Sequence, residues 1–170
     1  MKLDLSQTKR ISIVGISASG KSTLACKLAQ KTGINVYHMD SLYWRAGWIE
    51  VPEDEWRAKE TEIYNQDQWI LEGYIAPSHC GRLKHSDLII YLDMPALTCA
   101  INYIKRWWHY KGKSRPDLAG CNERFSLSFL WTIYKRKERA DIENAIALNN
   151  QKTILRVSTK SALHKFLDDI

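Results

Sequence analysis

Gly15-Ile16-Ser17-Ala18-Ser19-Gly20-Lys21-Ser22 fits the pattern G-x-x-x-x-G-K-[ST]. In such a loop the backbone N–H groups turn inward and make a concave anion site. The helix that follows adds the positive end of its dipole. Two glycines, a lysine and a hydroxyl at this spacing arise by chance at roughly one position in 10⁴ to 10⁵ at average glycine usage. The flanks agree with the loop. Ile11-Ser12-Ile13-Val14 is a short β-branched run suited to a buried strand. From Ser22 to Thr32, Leu24, Ala25, Leu28 and Ala29 recur at helical spacing, and Gly33 is placed to cap the end.

The loop assigns a set of residues to a triphosphate. Gly15, Ser17, Ala18, Ser19, Gly20, Lys21, Ser22 and Thr23 are expected around the phosphates of ATP or GTP. Lys21 would reach the β- and γ-phosphates, and the Ser22 hydroxyl would ligate Mg²⁺.

Outward from the loop, apolar runs alternate with helical patterns. Strands are expected at about 10–14, at 36–39 ending on Asp40, at 69–71 ending on Glu72-Gly73, at 88–92 ending on Asp93, and at 153–157. Helices are expected at 21–32, from Pro52 to about 66, from Pro95 to about 110, in one long stretch at about 122–149, and at 161–169. Residues 42–48 read as an aromatic loop, 77–85 as a short irregular or helical piece, and 111–120 as a glycine- and proline-bearing loop. The alternation predicts an α/β three-layer sandwich with a parallel sheet of about five strands, in a single domain spanning 1–170. Ligands of such sheets bind at the carboxyl ends of the strands, so Asp40, Glu72 and Asp93 are expected to share one edge with the phosphate loop.

Charge is concentrated. The chain carries a formal +6, and the segment from Ile101 to Ala140 alone holds ten Lys or Arg against three acids. That segment has the shape of a lid over about 105–140. A helix ends in Lys105-Arg106, a loop carries Arg115, and a second helix carries Arg136 and Arg139 three residues apart on one face. Guanidinium forks suit phosphate oxygens, and a closing lid would exclude water. The anionic partner is the triphosphate or nucleic acid. No DNA-reading motif is present, and Gly112 and Pro116 divide the charge between two helices, which favours the lid.

Phosphoryl transfer also needs a positioned acceptor. Asp40 is expected to orient or deprotonate an acceptor hydroxyl, and Glu72 to hold a metal-bound water, with Asp93 as the alternative. Arg115, Arg136 and Arg139 are the candidate transition-state cations. Trp48 is a candidate substrate contact, and Trp44, Trp48, Trp107 and Trp108 are candidates to stack on a base or ring. His38, inside a strand, reads as a packing or hydrogen-bonding residue. Four scattered cysteines without a C-x-x-C pair argue against a zinc site or a disulfide framework and point to a reduced, cytoplasmic setting. No apolar run reaches membrane-spanning length, and the opening Met-Lys-Leu-Asp-Leu has no signal-peptide core.

Several segments together carry a resemblance. They are Gly15–Ser22, Val36 to Trp44 with Gly47-Trp48, Trp69-Ile70-Leu71-Glu72-Gly73-Tyr74, Arg82-Leu83, 87–93, Tyr110 to Asp117, and Cys121-Asn122-Glu123-Arg124-Phe125. The chain resembles the DNA topology modulation proteins, small P-loop proteins related to adenylate kinase. The resemblance implies a kinase-like fold, ATP or GTP binding with Mg²⁺, and phosphate contacts at Arg82 and Arg115. Glu72 stands where an Asp is more usual. The nucleotide-kinase sequence Asp-Gly-Phe-Pro-Arg is absent, since Gly73 is followed by Tyr74-Ile75-Ala76-Pro77. The expected activity is transfer of the γ-phosphate of ATP to a nucleotide or other small acceptor. The alternatives are a nucleotide-dependent DNA-binding or topology-modulating protein, or a simple NTPase.

Overall fold

The computed structural model describes residue 5 and residues 8–75 and 81–169. The expectation for 77–80 lies outside these. Strand β1 (Arg10–Gly15) runs into the phosphate loop, and helix α1 (Lys21–Thr32) follows it. Gly33 ends α1 in the left-handed region at φ 72°, its N–H bonded to the Ala29 carbonyl. Next come β2 (Val36–His38), the short helix α2 (Met39–Tyr43), and a small hairpin of β3 (Trp44–Arg45) and β4 (Ile49–Glu50). Helix α3 (Glu53–Tyr64) starts after Pro52 with three acids in its first turn. Strand β5 (Trp69–Glu72), helix α4 (Gly81–His85) and strand β6 (Leu88–Leu92) lead to helix α5 (Ala96–Tyr110). The chain closes with α6 (Leu127–Tyr134), α7 (Arg139–Ala147), β7 (Thr153–Val157) and α8 (Lys160–Asp169).

The main sheet is fully parallel, with the order β2-β5-β1-β6-β7. Strands β1, β5 and β6 are buried almost throughout, which is why they read as continuous apolar runs. The polar exception in β1, Ser12, accepts a 2.8 Å bond from the Ser86 hydroxyl. Side chains of β5 alternate between two cores. Ile70 joins the large cluster with Leu24, Cys99, Ile133 and Ile142. Trp69 and Leu71 join a second cluster with Trp56 and Ile63 of α3. Helices therefore pack on both faces of the sheet, as an α/β sandwich requires. Among the described residues, no helix is long and apolar enough to cross a membrane.

Two expectations about elements are corrected. Strand β2 stops at His38, where the Ser41 hydroxyl bonds the His38 carbonyl at 2.7 Å, and Asp40 lies in the first turn of α2 rather than at a strand end. The long helix expected at 122–149 is two helices. Residues Asn122 and Glu123 instead form β-bridges with Ser114 and Lys111. The Ser126 hydroxyl then caps α6 by accepting from Phe129 N–H at 3.1 Å. A turn separates α6 from α7, and there Arg136 takes φ 52°. Arg136 and Arg139 therefore do not share a helix face.

Candidate active site

Because the sheet is parallel, the carboxyl ends of its strands share one edge. The loop after β1 sits there, held from behind by the Asn102 amide, which donates to the Ala18 carbonyl at 3.0 Å. Ala18 at φ 60° and Gly20 at φ 100° give the loop its concave turn. Gly15 is needed for another reason: a Cβ there would come within 2.7 Å of the Leu92 carbonyl oxygen and of Ser19 Oγ. Lys21 Nζ arches back to donate to the carbonyls of Gly15 and Ile16 at 2.9 and 3.0 Å. Its ammonium therefore spans the mouth of the loop.

The loop also grips an anion of its own. Ser17 N–H donates to Glu138 Oε2 at 2.6 Å, and Ser17 Oγ–H donates to Oε1 of the same carboxylate at 2.7 Å. Glu138 comes from the turn before α7, so a distant acid occupies part of a cradle suited to phosphate oxygens. That the loop holds a carboxylate on Ser17, with Lys21 at its mouth, shows a cradle that accepts an anion, as a polyphosphate chain would require.

Glu72 ends β5 beside the loop and is buried. One of its oxygens accepts from Ser22 Oγ–H at 2.9 Å and lies 2.6 Å from His38 Nδ1. Burial pushes the Glu72 pKa up, but the His38 contact and the nearby Lys21 charge outweigh it, and the pKa is lowered overall. The contact with Glu72 raises the pKa of His38 against the opposing effect of burial. A carboxylate and a hydroxyl side by side suit Mg²⁺, which takes few protein oxygens and completes its shell with water and phosphate. Among the described residues there is no group of three or more His, Cys, Asp or Glu able to hold a metal. Gly73, at φ 145°, lets this strand end approach α2, since a Cβ would meet Met39 Cβ at 2.7 Å.

A cavity of about 600 Å³ opens beside the loop, with Ser17 and Glu138 on its wall. Asp40 lines it, and burial raises the Asp40 pKa although Lys21 and Arg115 oppose the shift. Tyr43, Trp44, Trp48 and Trp56 form one side. Tyr74, Tyr103 and Phe129 come from elsewhere in the chain. The cavity is roofed because the 111–123 loop rests on the β3–β4 hairpin. Gly47 N–H donates to the Gly120 carbonyl at 2.9 Å, Trp48 Nε1–H to Asn122 O at 3.0 Å, and Cys121 Sγ–H to Arg45 O at 3.2 Å.

The arginines divide into three groups. Arg115 lines the cavity but is held by Glu123 at 3.2 Å and Asp117 at 3.4 Å. Arg106 shares Glu123 with it at 3.0 Å and lies over the Tyr103 ring. Arg136 and Arg139 converge instead on Asp93, together with Arg156, at the edge beyond β6. Neither Arg136 nor Arg139 lines the cavity. Arg82 is buried, donates to the Gly73 carbonyl at 2.7 Å, and does not line the cavity either. Thr23 is exposed in the first turn of α1.

Sequence reasoning missed Glu138 and Glu123. Each is a lone acid inside a basic tract, and that isolation was the available signal. It also missed Tyr74, Tyr103 and Phe129, whose apolar spacing reads as ordinary core. Tyr74 O–H donates to Asp141 at 2.8 Å, and burial together with that acid pushes its pKa to about 12.

No protein-family profile matches the chain, and no curated protein sequence matches it. Solved structures do. A sugar kinase from Janibacter sp. HTCC2649, solved unliganded, is 14% identical with a TM-score of 0.54, over 95% of this chain and 91% of that one. Shikimate kinase from Acinetobacter baumannii, solved with shikimate, is 16% identical with a TM-score of 0.58, over 96% and 92%. At such identities the likeness is one of architecture: this chain has a P-loop kinase-like α/β fold with a five-stranded parallel sheet.

Proposed function

We propose that the protein is an ATP-dependent phosphotransferase that moves the γ-phosphate of ATP, or of GTP, to a hydroxyl of a small acceptor. One observation carries this reading: the phosphate loop and the 600 Å³ cavity share a wall at Ser17, so donor and acceptor sites adjoin. The likeness in fold to a sugar kinase and a shikimate kinase supports it, and the sequence resemblance to the DNA topology modulation proteins agrees with it.

In this reading the loop amides and Lys21 hold the β- and γ-phosphates. Ser22 and Glu72 hold Mg²⁺, which when bound neutralises phosphate charge. Asp40 orients the acceptor hydroxyl and takes its proton, a task helped by burial, which raises its pKa above the ordinary carboxylate value. The acceptor oxygen bonds to the γ-phosphorus, the bond from that phosphorus to the β–γ bridging oxygen breaks, and the nucleoside diphosphate leaves. Arg115, on the cavity wall with Nε against Glu123 and Nη1 near Asp117, has Nη2 left to meet the moving charge. The roof excludes water, which keeps transfer ahead of hydrolysis.

The test is transfer of label from γ-labelled ATP with Mg²⁺ to a panel of nucleosides, nucleoside monophosphates and sugars. Acceptor-dependent product is expected, and Lys21→Ala should reduce its formation by about 10³-fold or more, some 4 kcal/mol of transition-state stabilisation. Label released only as inorganic phosphate, at a rate no acceptor changes, would leave an NTPase.

A further inference from the structure

The cavity wall carries three arginines, Arg106, Arg115 and Arg124, against four carboxylates, Asp40, Glu50, Glu123 and Glu138. The balance is not phosphate-seeking, despite the basic tract that supplies the roof. Glu123 is the reason. Its carboxylate is buried, with a side chain only 3% exposed. One oxygen takes Arg106 Nε–H at 3.0 Å, and the other faces Arg115 Nε at 3.2 Å. Asp117 adds a second acid to Arg115. The Nε edge of each fork, which would otherwise grip an acceptor phosphate or carboxylate, is thus already taken up inside the roof, and Arg115 Nη1 also faces Asp117. Freeing them would leave Glu123 a buried charge without partners, a state the fold resists.

The remaining wall is aromatic. Trp44 and Trp48 lie edge to face with centroids 5.6 Å apart, and Tyr43 meets both Trp44 and Trp56. Such faces take a flat or puckered ring and give little to a compact charged group.

We infer that the acceptor is an uncharged, ring-bearing alcohol of nucleoside size, and that Glu123 enforces this by occupying Arg106 and Arg115. The inference rests on the kinase reading above. In it the product is the phosphate ester of that alcohol: the hydroxyl oxygen gains the phosphoryl group, its proton passes to Asp40 and then to solvent, and ADP is released.

Tryptophans in the wall make binding readable without turnover. Quenching of their fluorescence is measured for adenosine, guanosine, uridine and thymidine, each beside its 5′-monophosphate, on the intact protein. At least one nucleoside should bind about tenfold or more tightly than its monophosphate, the cost of bringing an unpaired dianion to an acidic wall. Monophosphates that bind as well or better overturn the inference, and so does a panel in which no nucleoside quenches. Glu123→Gln should shift the ratio about tenfold toward the monophosphates by releasing the two forks. An unchanged ratio in a folded variant removes Glu123 from the account. Should that variant not fold, Glu50→Gln, at an exposed position of β4, should move the ratio in the same direction by less. Binding of Mg·ATP is followed in parallel with a fluorescent analogue. Its absence overturns the kinase reading and the inference together, whereas monophosphates ahead of nucleosides with ATP binding intact overturn the inference alone.

Discussion

The phosphate loop and the aromatic roof face each other across one cavity and are built in opposite ways. The loop is eight consecutive residues whose shape follows from two left-handed residues and a strand and helix on either side. The roof is drawn from α2, the β3–β4 hairpin, α3, α5, the 111–126 segment and α6, and no stretch of it is meaningful alone. In the loop most binding groups are backbone amides, so beyond Gly15, Lys21 and Ser22 composition matters little once the turns are set. In the roof the binding groups are side chains whose charges are settled by which partners they meet. The same contrast separates their arginine and acid content. The basic tract is spent largely on internal acids, while the loop receives an acid, Glu138, that no local feature would place there.

Three changes break or sharpen that contrast. The largest effect is expected from Arg115→Ala. If Arg115 acts on the moving phosphoryl group, kcat should fall by about 10²-fold while Mg·ATP affinity changes little, a split read from steady-state kinetics beside direct ATP binding. Equal loss in both would make it a ground-state phosphate contact. Next is Glu138→Gln. Its carboxylate competes with a polyphosphate for Ser17, so removing the charge should tighten Mg·ATP binding by about fivefold, near 1 kcal/mol, in a calorimetric titration. Weaker binding would mean that Glu138 holds the loop in its receptive shape.

The smallest effect is expected from the His38–Glu72 pair. The His38 pKa is raised above its ordinary 6.5, so the stability it adds is fully present below about that pH and is lost as pH rises through the higher, folded value. Glu72 has the opposite sign: its pKa is lowered, and its contribution disappears only as pH falls through that lowered value. Between about pH 6 and about pH 8 the melting temperature of the native protein should therefore fall more than that of His38→Asn, by a few degrees. Parallel curves would show that His38 stays neutral against Glu72.

The fold was largely legible. The three central strands β1, β5 and β6 are short apolar runs ending at Gly15, at Glu72 and just before Asp93, and burial on both faces leaves no other pattern available to such strands. Where the sequence misled, local and tertiary preferences competed. Residues 122–125 read as the start of a helix, but Asn122 and Glu123 pair with Ser114 and Lys111 instead, and Ser126 offers the cap that starts the helix later. Arg136 reads as helical and sits in a turn aimed at Asp93. Arg82, which the resemblance implies as a phosphate contact, is buried and donates to the Gly73 carbonyl.

What the sequence determined by itself is the parallel sheet and the anion cradle at its edge, since periodicity and two glycine positions act over neighbouring residues. Only the tertiary structure decided which charges are free. Arg115 and Glu123 lie eight positions apart, and Ser17 and Glu138 lie 121 apart. An ion pair depends on distance in space, which the chain order does not record.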